Sequence, residues 1–242
     1  MSVANLALPA TAFALAGFVQ GLSGFGSGMV AMALLPLVWP VDQAVAVAAV
    51  FGMGLNVAFS IHLRAHGDWR EVVSLAVPAV AGVPIGLWFL HHADGRLATG
   101  ALGAVLVVFA AWSLLHRAAV RPLGRIWAWL AGLAAGVLSG ALNTAGPPTL
   151  IYATLRGWQR DAFRANMQLF FTAVGAFTVI GFAATGLITS ATLQLNLMLA
   201  LPLAVGAWLG NRLCSRVDQL TFRRGVLLAL LAMGTWYLLR LV

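Results

Sequence analysis

Two stretches decide how this chain folds. The first is Gly17-Phe18-Val19-Gln20-Gly21-Leu22-Ser23-Gly24-Phe25-Gly26-Ser27-Gly28; the second is Gly136-Val137-Leu138-Ser139-Gly140-Ala141-Leu142-Asn143-Thr144-Ala145-Gly146-Pro147-Pro148. Each interrupts an apolar run with glycines and small polar side chains. Glycine permits positive φ and close backbone approach, so the chain can break there, reverse and expose consecutive N–H groups. Pro147 suits the first turn of a returning half-helix, where a missing N–H costs nothing. The pieces that follow are short. At 1.5 Å per residue, Gly28 to Trp39 reaches about 18 Å and Pro147 to Leu155 about 14 Å.

Working outward, the whole chain reads as one that lives in lipid. Of its 242 residues, 62% are hydrophobic and 8% charged, against roughly 25% charged in a soluble domain. Too few charges are present to cover a water-facing exterior. One cysteine, Cys214, excludes a disulfide framework. All 14 basic residues are arginine and six are acidic, giving net +8. In a soluble protein that excess would suggest nucleic acid; in a membrane protein it marks cytoplasmic loops, so the expected partners are the bilayer and a small solute, not nucleic acid. Met1 to Gly17 lacks a positive region and reads as the first membrane segment rather than a cleaved signal.

A span requires about 20 apolar residues. That ruler gives segments at roughly 3–22, 25–39, 44–61, 72–90, 97–115, 126–142, 147–155, 167–184, 195–211 and 225–242. The second and seventh are the short pieces after the breaks. If each hairpin returns to the side it entered from, the loops at 62–71, 116–125, 156–166 and 212–224 share one side and carry 12 arginines, leaving Arg96 and Arg240 opposite. If each hairpin is one broken crossing, the arginines divide 8 to 6. The positive-inside rule favours returning hairpins, with both termini outside. Full-length and re-entrant hairpins give the same count.

The two halves, 1–119 and 120–242, resemble each other. At an offset of 119, Gly17, Gly21, Trp39 and Asp42 fall on Gly136, Gly140, Trp158 and Asp161. At 124, Pro78, Gly82, Gly86, Asp94 and Trp112 fall on Pro202, Gly206, Gly210, Asp218 and Trp236. Five segments per repeat is an odd number, so the second repeat lies inverted. The predicted fold is therefore all-α and polytopic: two inverted repeats, eight full spans and two glycine-broken return arms. Transporters commonly have this layout, with the substrate held near the midplane where broken helices meet.

The candidate substrate site is Gln20, Gly21, Ser23, Gly24, Gly26, Ser27 and Gly28 with Ser139, Gly140, Asn143, Thr144 and Gly146, joined by Asn56 and Gln168. A half-helix N-terminus carries about half a positive charge and free amides, which suits an anion. Glycines at four-residue spacing have a second reading as helix contacts, and this covers Gly17, Gly21, Gly82, Gly86, Gly132, Gly136, Gly140, Gly206 and Gly210. Asn56, Gln168 and Thr172 either line a path or bond between helices. No carboxylate or arginine falls deep within a predicted span, so the interior is uncharged and a proton relay lacks its usual groups. His62 and His66 share a helix face but read as interfacial. Asp94 and Asp218, just ahead of helices, read as caps. No cofactor or metal site is expected, and no nucleophile with a base supports an intramembrane enzyme.

In the two glycine-rich breaks and the Pro78-Gly82-Gly86-Asp94 set echoed at Pro202-Gly206-Gly210-Asp218, the chain resembles the TauE/SafE family. It departs from that family's triple-glycine ending at Ser27, Asn143 and Ala145. The resemblance implies an inner-membrane transporter that exports a small sulfur-containing anion such as sulfite or an organosulfonate. Ion-coupled uptake of a similar anion is the alternative.

Overall fold

A computed structural model describes residues 7–63, 67–115, 120 and 123–240, and every expected segment is a helix in it. The helices are α1 (Ala7–Ser23), α2 (Ser27–Leu34), α3 (Val41–Leu63), α4 (Trp69–His92), α5 (Gly95–Leu115), α6 (Arg125–Leu142), α7 (Gly146–Leu155), α8 (Arg160–Ala184), α9 (Ser190–Leu213) and α10 (Gln219–Leu239). A short 3-10 turn, Leu35–Leu37, extends α2. Among the described residues seven helices are long and apolar enough to cross a membrane, and α1 follows at 17 residues. The arms α2 and α7 have 8 and 10 residues, about 12 and 15 Å of helix. They are re-entrant in length.

Several helices start earlier than hydropathy indicates, because polar caps set a helix start whereas hydropathy measures only its apolar length. Asp68 accepts from the Arg70 N–H at 2.9 Å, Asp94 from the Leu97 N–H at 2.7 Å, and Asp218 from the Thr221 N–H at 3.1 Å. Thr189 and Thr192 form a reciprocal capping box at the head of α9. Asp94 and Asp218 thus act as the caps their shared spacing suggests.

The principal packings join α1 to α9, α4 to α6, α3 to α8 and α5 to α10. Exchanging helices 1–5 for 6–10 turns the α1/α9 pair into α6/α4 and maps α3/α8 and α5/α10 onto themselves, so these four principal packings are symmetric under that exchange. The α1/α9 and α4/α6 seams are built from the four-spaced glycines. A Cβ on Gly136 would stand 1.8 Å from the Ala79 carbonyl oxygen, and one on Gly206 2.1 Å from that of Ala14. Backbone meets backbone there, as small-residue packing within lipid demands.

Contacts between loops decide between the two topologies. The Asp68 N–H donates to Asn166 Oδ1 at 2.7 Å, the Tyr152 hydroxyl donates to Glu71 at 2.9 Å, and Arg156 pairs with Glu71. Val120 packs on Gly157, and Arg164 approaches the Cys214 sulfur at 3.9 Å. The described parts of all four arginine-rich stretches therefore gather at one end of the bundle, Arg64, Arg117 and Arg121 lying outside the described residues. A single broken crossing would have put 62–71 and 156–166 at opposite ends. Exposed tryptophans mark the two rims: Trp69, Trp127, Trp129 and Trp208 toward the arginine-rich end, Trp88 and Trp236 toward the other. Such belts sit at membrane–water interfaces.

Candidate functional site

The first break is held open by Gly24 and Gly26, with φ of +83° and +98°. Gly26 caps α2, and the first bond within that helix runs from the Val30 N–H to the Gly26 carbonyl at 3.0 Å. The N–H groups of Ser27, Gly28 and Met29 precede it and have no intrahelical acceptor. The second break turns on Asn143, at φ +51° the described non-glycine residue with left-handed backbone. Its N–H bonds to the Ser139 carbonyl at 2.9 Å and that of Thr144 to Leu138 at 3.1 Å, closing the end of α6. The arm α7 then opens with Gly146, Pro147 and Pro148. Two prolines remove two donors, so the breaks are unequal: α2 presents three amides and the α7 first turn mainly that of Gly146.

The breaks touch. A Cβ on Gly28 would stand 2.7 Å from the Asn143 carbonyl oxygen, and one on Gly146 3.1 Å from the Met29 methyl. Beside this contact lies a cavity of about 60 Å³ whose polar lining is Gln20, Ser27, Asn56, Ser139, Asn143 and Thr144, with backbone from Gly26, Gly28 and Gly146. A single water requires roughly 10–15 Å³ of such space, so the chamber has room for a small oxyanion. Its other walls include Ala49, Gly52 and Met53 of α3 and Phe171, Val174 and Gly175 of α8. These residues lie at mid-length of both helices, far from the loops. No ionisable side chain lines the chamber.

A buried amide network fixes the lining. Gln20 Nε2 donates to Asn56 Oδ1 at 2.7 Å, Ser27 Oγ donates to Gln20 Oε1, and Gln168 Nε2 donates to the Gly24 carbonyl at 2.6 Å. The Ser139 and Thr178 hydroxyls are 2.8 Å apart. Gln20, Ser27, Thr144 and Gln168 are each 4% exposed or less. Thr144 differs from its neighbours: its hydroxyl is buried and has no hydrogen-bond partner among the described residues. A buried hydroxyl without a partner costs about 1–3 kcal/mol, a cost that a solute in the chamber would offset.

The structure thus brings Gln20, Gly26, Ser27, Gly28, Asn56, Ser139, Asn143, Thr144 and Gly146 to one chamber. Gln168 stands behind Gln20 and braces the first break. Gly21 and Gly140 lie in the seams, where a Cβ would meet the carbonyl oxygens of Ala207 at 2.2 Å and Val83 at 2.3 Å. Ser23 and Gly24 face away from the chamber: the Ser23 hydroxyl bonds with the Val19 and Phe25 carbonyls, and Gly24 lies beneath the Arg164 side chain. Thr172 bonds between helices, 2.8 Å from Ser60. Sequence reading missed Met29, Gly52, Phe171 and Gly175, which are apolar in an apolar chain and give little signal. An interior glycine outside any four-spaced series, such as Gly52, is the one cue that was present.

His66 lies outside the described residues, and His92 stacks on Trp88 with ring centroids 4.7 Å apart. No cluster of three or more His, Cys, Asp or Glu capable of holding a metal occurs among the described residues.

A helical membrane bundle with an uncharged polar chamber between two broken helices is the layout of a membrane transport protein. This chain belongs to the sulfite exporter TauE/SafE family, whose model matches residues 10–237. It is similar to a probable sulfite/organosulfonate exporter TauE of Cupriavidus necator, 27% identical over 225 residues that cover 90% of this chain and 87% of the relative. It is also similar to a probable inner membrane transporter protein, TsaS, of Comamonas testosteroni, 28% identical over 170 residues covering 69% and 70%. No solved structure matches it.

Proposed function

We propose that this protein exports a small sulfur-containing oxyanion, sulfite or an organosulfonate, across the inner membrane, holding it in the chamber between the two breaks. The observation that carries this reading is the Thr144 hydroxyl, buried without a partner among the described residues in an uncharged polar chamber at mid-length of the helices. The amides of Ser27, Gly28 and Met29 supply positive potential without a formal charge. With the cell interior negative, each anionic charge that leaves gains about 2.3 kcal/mol per 100 mV, so export needs no carboxylate relay.

The arginine-rich end faces the cytoplasm in this reading, with both termini outside. Residues 1–119 and 120–242 are two inverted repeats that meet at the chamber. In this reading the protein is a carrier and not an enzyme, supported by its membership of a transporter family.

Gly52→Leu tests the site. Gly52 lines the chamber and has nothing within 4 Å of an added Cβ, so the leucine side chain starts in open space and fills the chamber; the thermal midpoint of the variant is measured beside its flux. Proteoliposomes of the variant should lose sulfite and methanesulfonate efflux under an imposed potential while inserting normally. Wild-type-level flux would move the site elsewhere. Flux that requires a sodium or proton gradient would replace export by coupled uptake.

A further inference from the structure

A second and larger cavity, about 290 Å³, lies between the chamber and the arginine-rich end. Phe163 and Arg164 of α8, Phe109, Trp112 and Ser113 of α5, and Phe222 and Arg223 of α10 form much of its wall. Gly26 and Met29 line both cavities, so the head of α2 is the partition between them.

Two buried polar atoms in this wall have no hydrogen-bond partner among the described residues: Ser113 Oγ and Arg164 Nε. The rest of the Arg164 guanidinium makes long contacts to neutral acceptors, the Gly21 carbonyl at 3.4 Å and the Cys214 sulfur at 3.9 Å. Among the described residues the one ion pair is Arg156 with Glu71, so no carboxylate balances Arg164. A partly buried arginine without a counter-charge is costly inside a membrane protein and points to an anion that visits it. Arg223 adds a second positive charge from an exposed position in the second turn of α10. The aromatic walls suit an apolar body, whereas the chamber beyond Met29 is smaller and polar.

We propose that this cavity is an anion-receiving vestibule, in which Arg164, Arg223 and Ser113 hold an oxyanion whose apolar part rests on Phe109, Phe163 and Phe222. The residues assign the site by their own chemistry; only its place as the cytoplasmic antechamber rests on the transport reading above.

The test is calorimetric binding of benzenesulfonate to the full-length protein in nanodiscs at low salt. Arg164→Gln should weaken binding about tenfold or more, the loss expected for a charge-assisted bond, and Arg164→Lys should recover part of it. Arg223→Gln, at the exposed rim, should cost about threefold and is safe for the fold. Gly52→Leu should leave benzenesulfonate binding unchanged. Wild-type protein that binds none, affinity unaltered by Arg164→Lys and Arg223→Gln alike, or binding lost in Gly52→Leu would each overturn the vestibule. Arginine-dependent binding in a protein that moves no sulfite would support the vestibule and sink the transport reading instead.

Discussion

Thr144→Val is expected to move stability and transport in opposite directions. The substitution keeps the branched shape and removes the hydroxyl that is buried without a partner beside Asn143 and Gly146. In the empty protein that hydroxyl carries a desolvation cost of about 1–3 kcal/mol, so valine should stabilise the fold by an amount in that range. At roughly 2–4 °C per kcal/mol for a chain of this size, the thermal midpoint in detergent should rise by several degrees. In the loaded protein the same hydroxyl donates to an anion, a bond worth about 1.5–3 kcal/mol. Losing it should lower the efficiency of sulfite efflux from proteoliposomes roughly 10- to 150-fold. Thr144→Ser retains the donor and should retain most of the flux. If Thr144→Val lowers the midpoint while flux stays at the wild-type level, the hydroxyl is structural and the reasoning fails.

Gly136→Ala should sharply reduce the yield of folded protein, at a cost of about 3 kcal/mol or more, because its Cβ would stand 1.8 Å from the Ala79 carbonyl oxygen; Gly54→Ala, with nothing within 4 Å, should gain about 0.5–1 kcal/mol, and thermal unfolding of both variants checks the contrast. The Asp218 carboxylate is held below the usual aspartate value of about 3.9, first by the Thr221 hydroxyl and then by the Thr221 and Leu220 N–H groups. Its cap is therefore complete above that value and is lost as pH falls through the lower folded-state value, so hydrogen exchange at the head of α10 should stay slow at mildly acidic pH and accelerate only in strong acid, a dependence that Asp218→Asn removes. A reporter active only in the cytoplasm should be silent when fused after Arg240 and active when fused after Arg216; the reverse pattern would invert the topology.

Hydropathy located all ten helices because lipid imposes a minimum apolar length on a span, and the two short arms betrayed themselves by falling below it. Loop arginines then gave the returning topology that Asp68–Asn166 and Glu71–Arg156 display in space. Small polar residues stood out against so apolar a background, and for that reason Ser27, Ser139, Asn143 and Thr144 were legible as residues that the fold gathers at one chamber. Glycine was harder to read. Gly21 and Gly140 neighbour the breaks in sequence, yet they continue the four-residue series of Gly17 and Gly136, and that periodicity places them against a neighbouring backbone. The reach of Arg164 was invisible, since its position in sequence is a helix head and only the fold lays its side chain over Gly24.

The seams constrain how such a carrier can move. Helix α1 of the first half is locked to α9 of the second, and α6 of the second to α4 of the first, with added Cβ atoms at Gly17, Gly21, Gly82, Gly86, Gly136 and Gly206 falling 1.8–2.5 Å from a facing carbonyl oxygen. Each half therefore reaches across the other. Sliding one half of the chain over the other as a rigid body would have to open both seams together, losing the close backbone packing along their length. The arms α2 and α7 carry no such seam: they are short, follow breaks that hold the left-handed residues Gly24, Gly26 and Asn143, and meet each other at Met29 and Gly146. A shift of α2 that carries Met29 away from Gly146 would join the two cavities while leaving both seams closed. The glycines thus divide in role, the four-spaced set packing backbone on backbone in the seams and the clustered set supplying the left-handed turns at the head of α2.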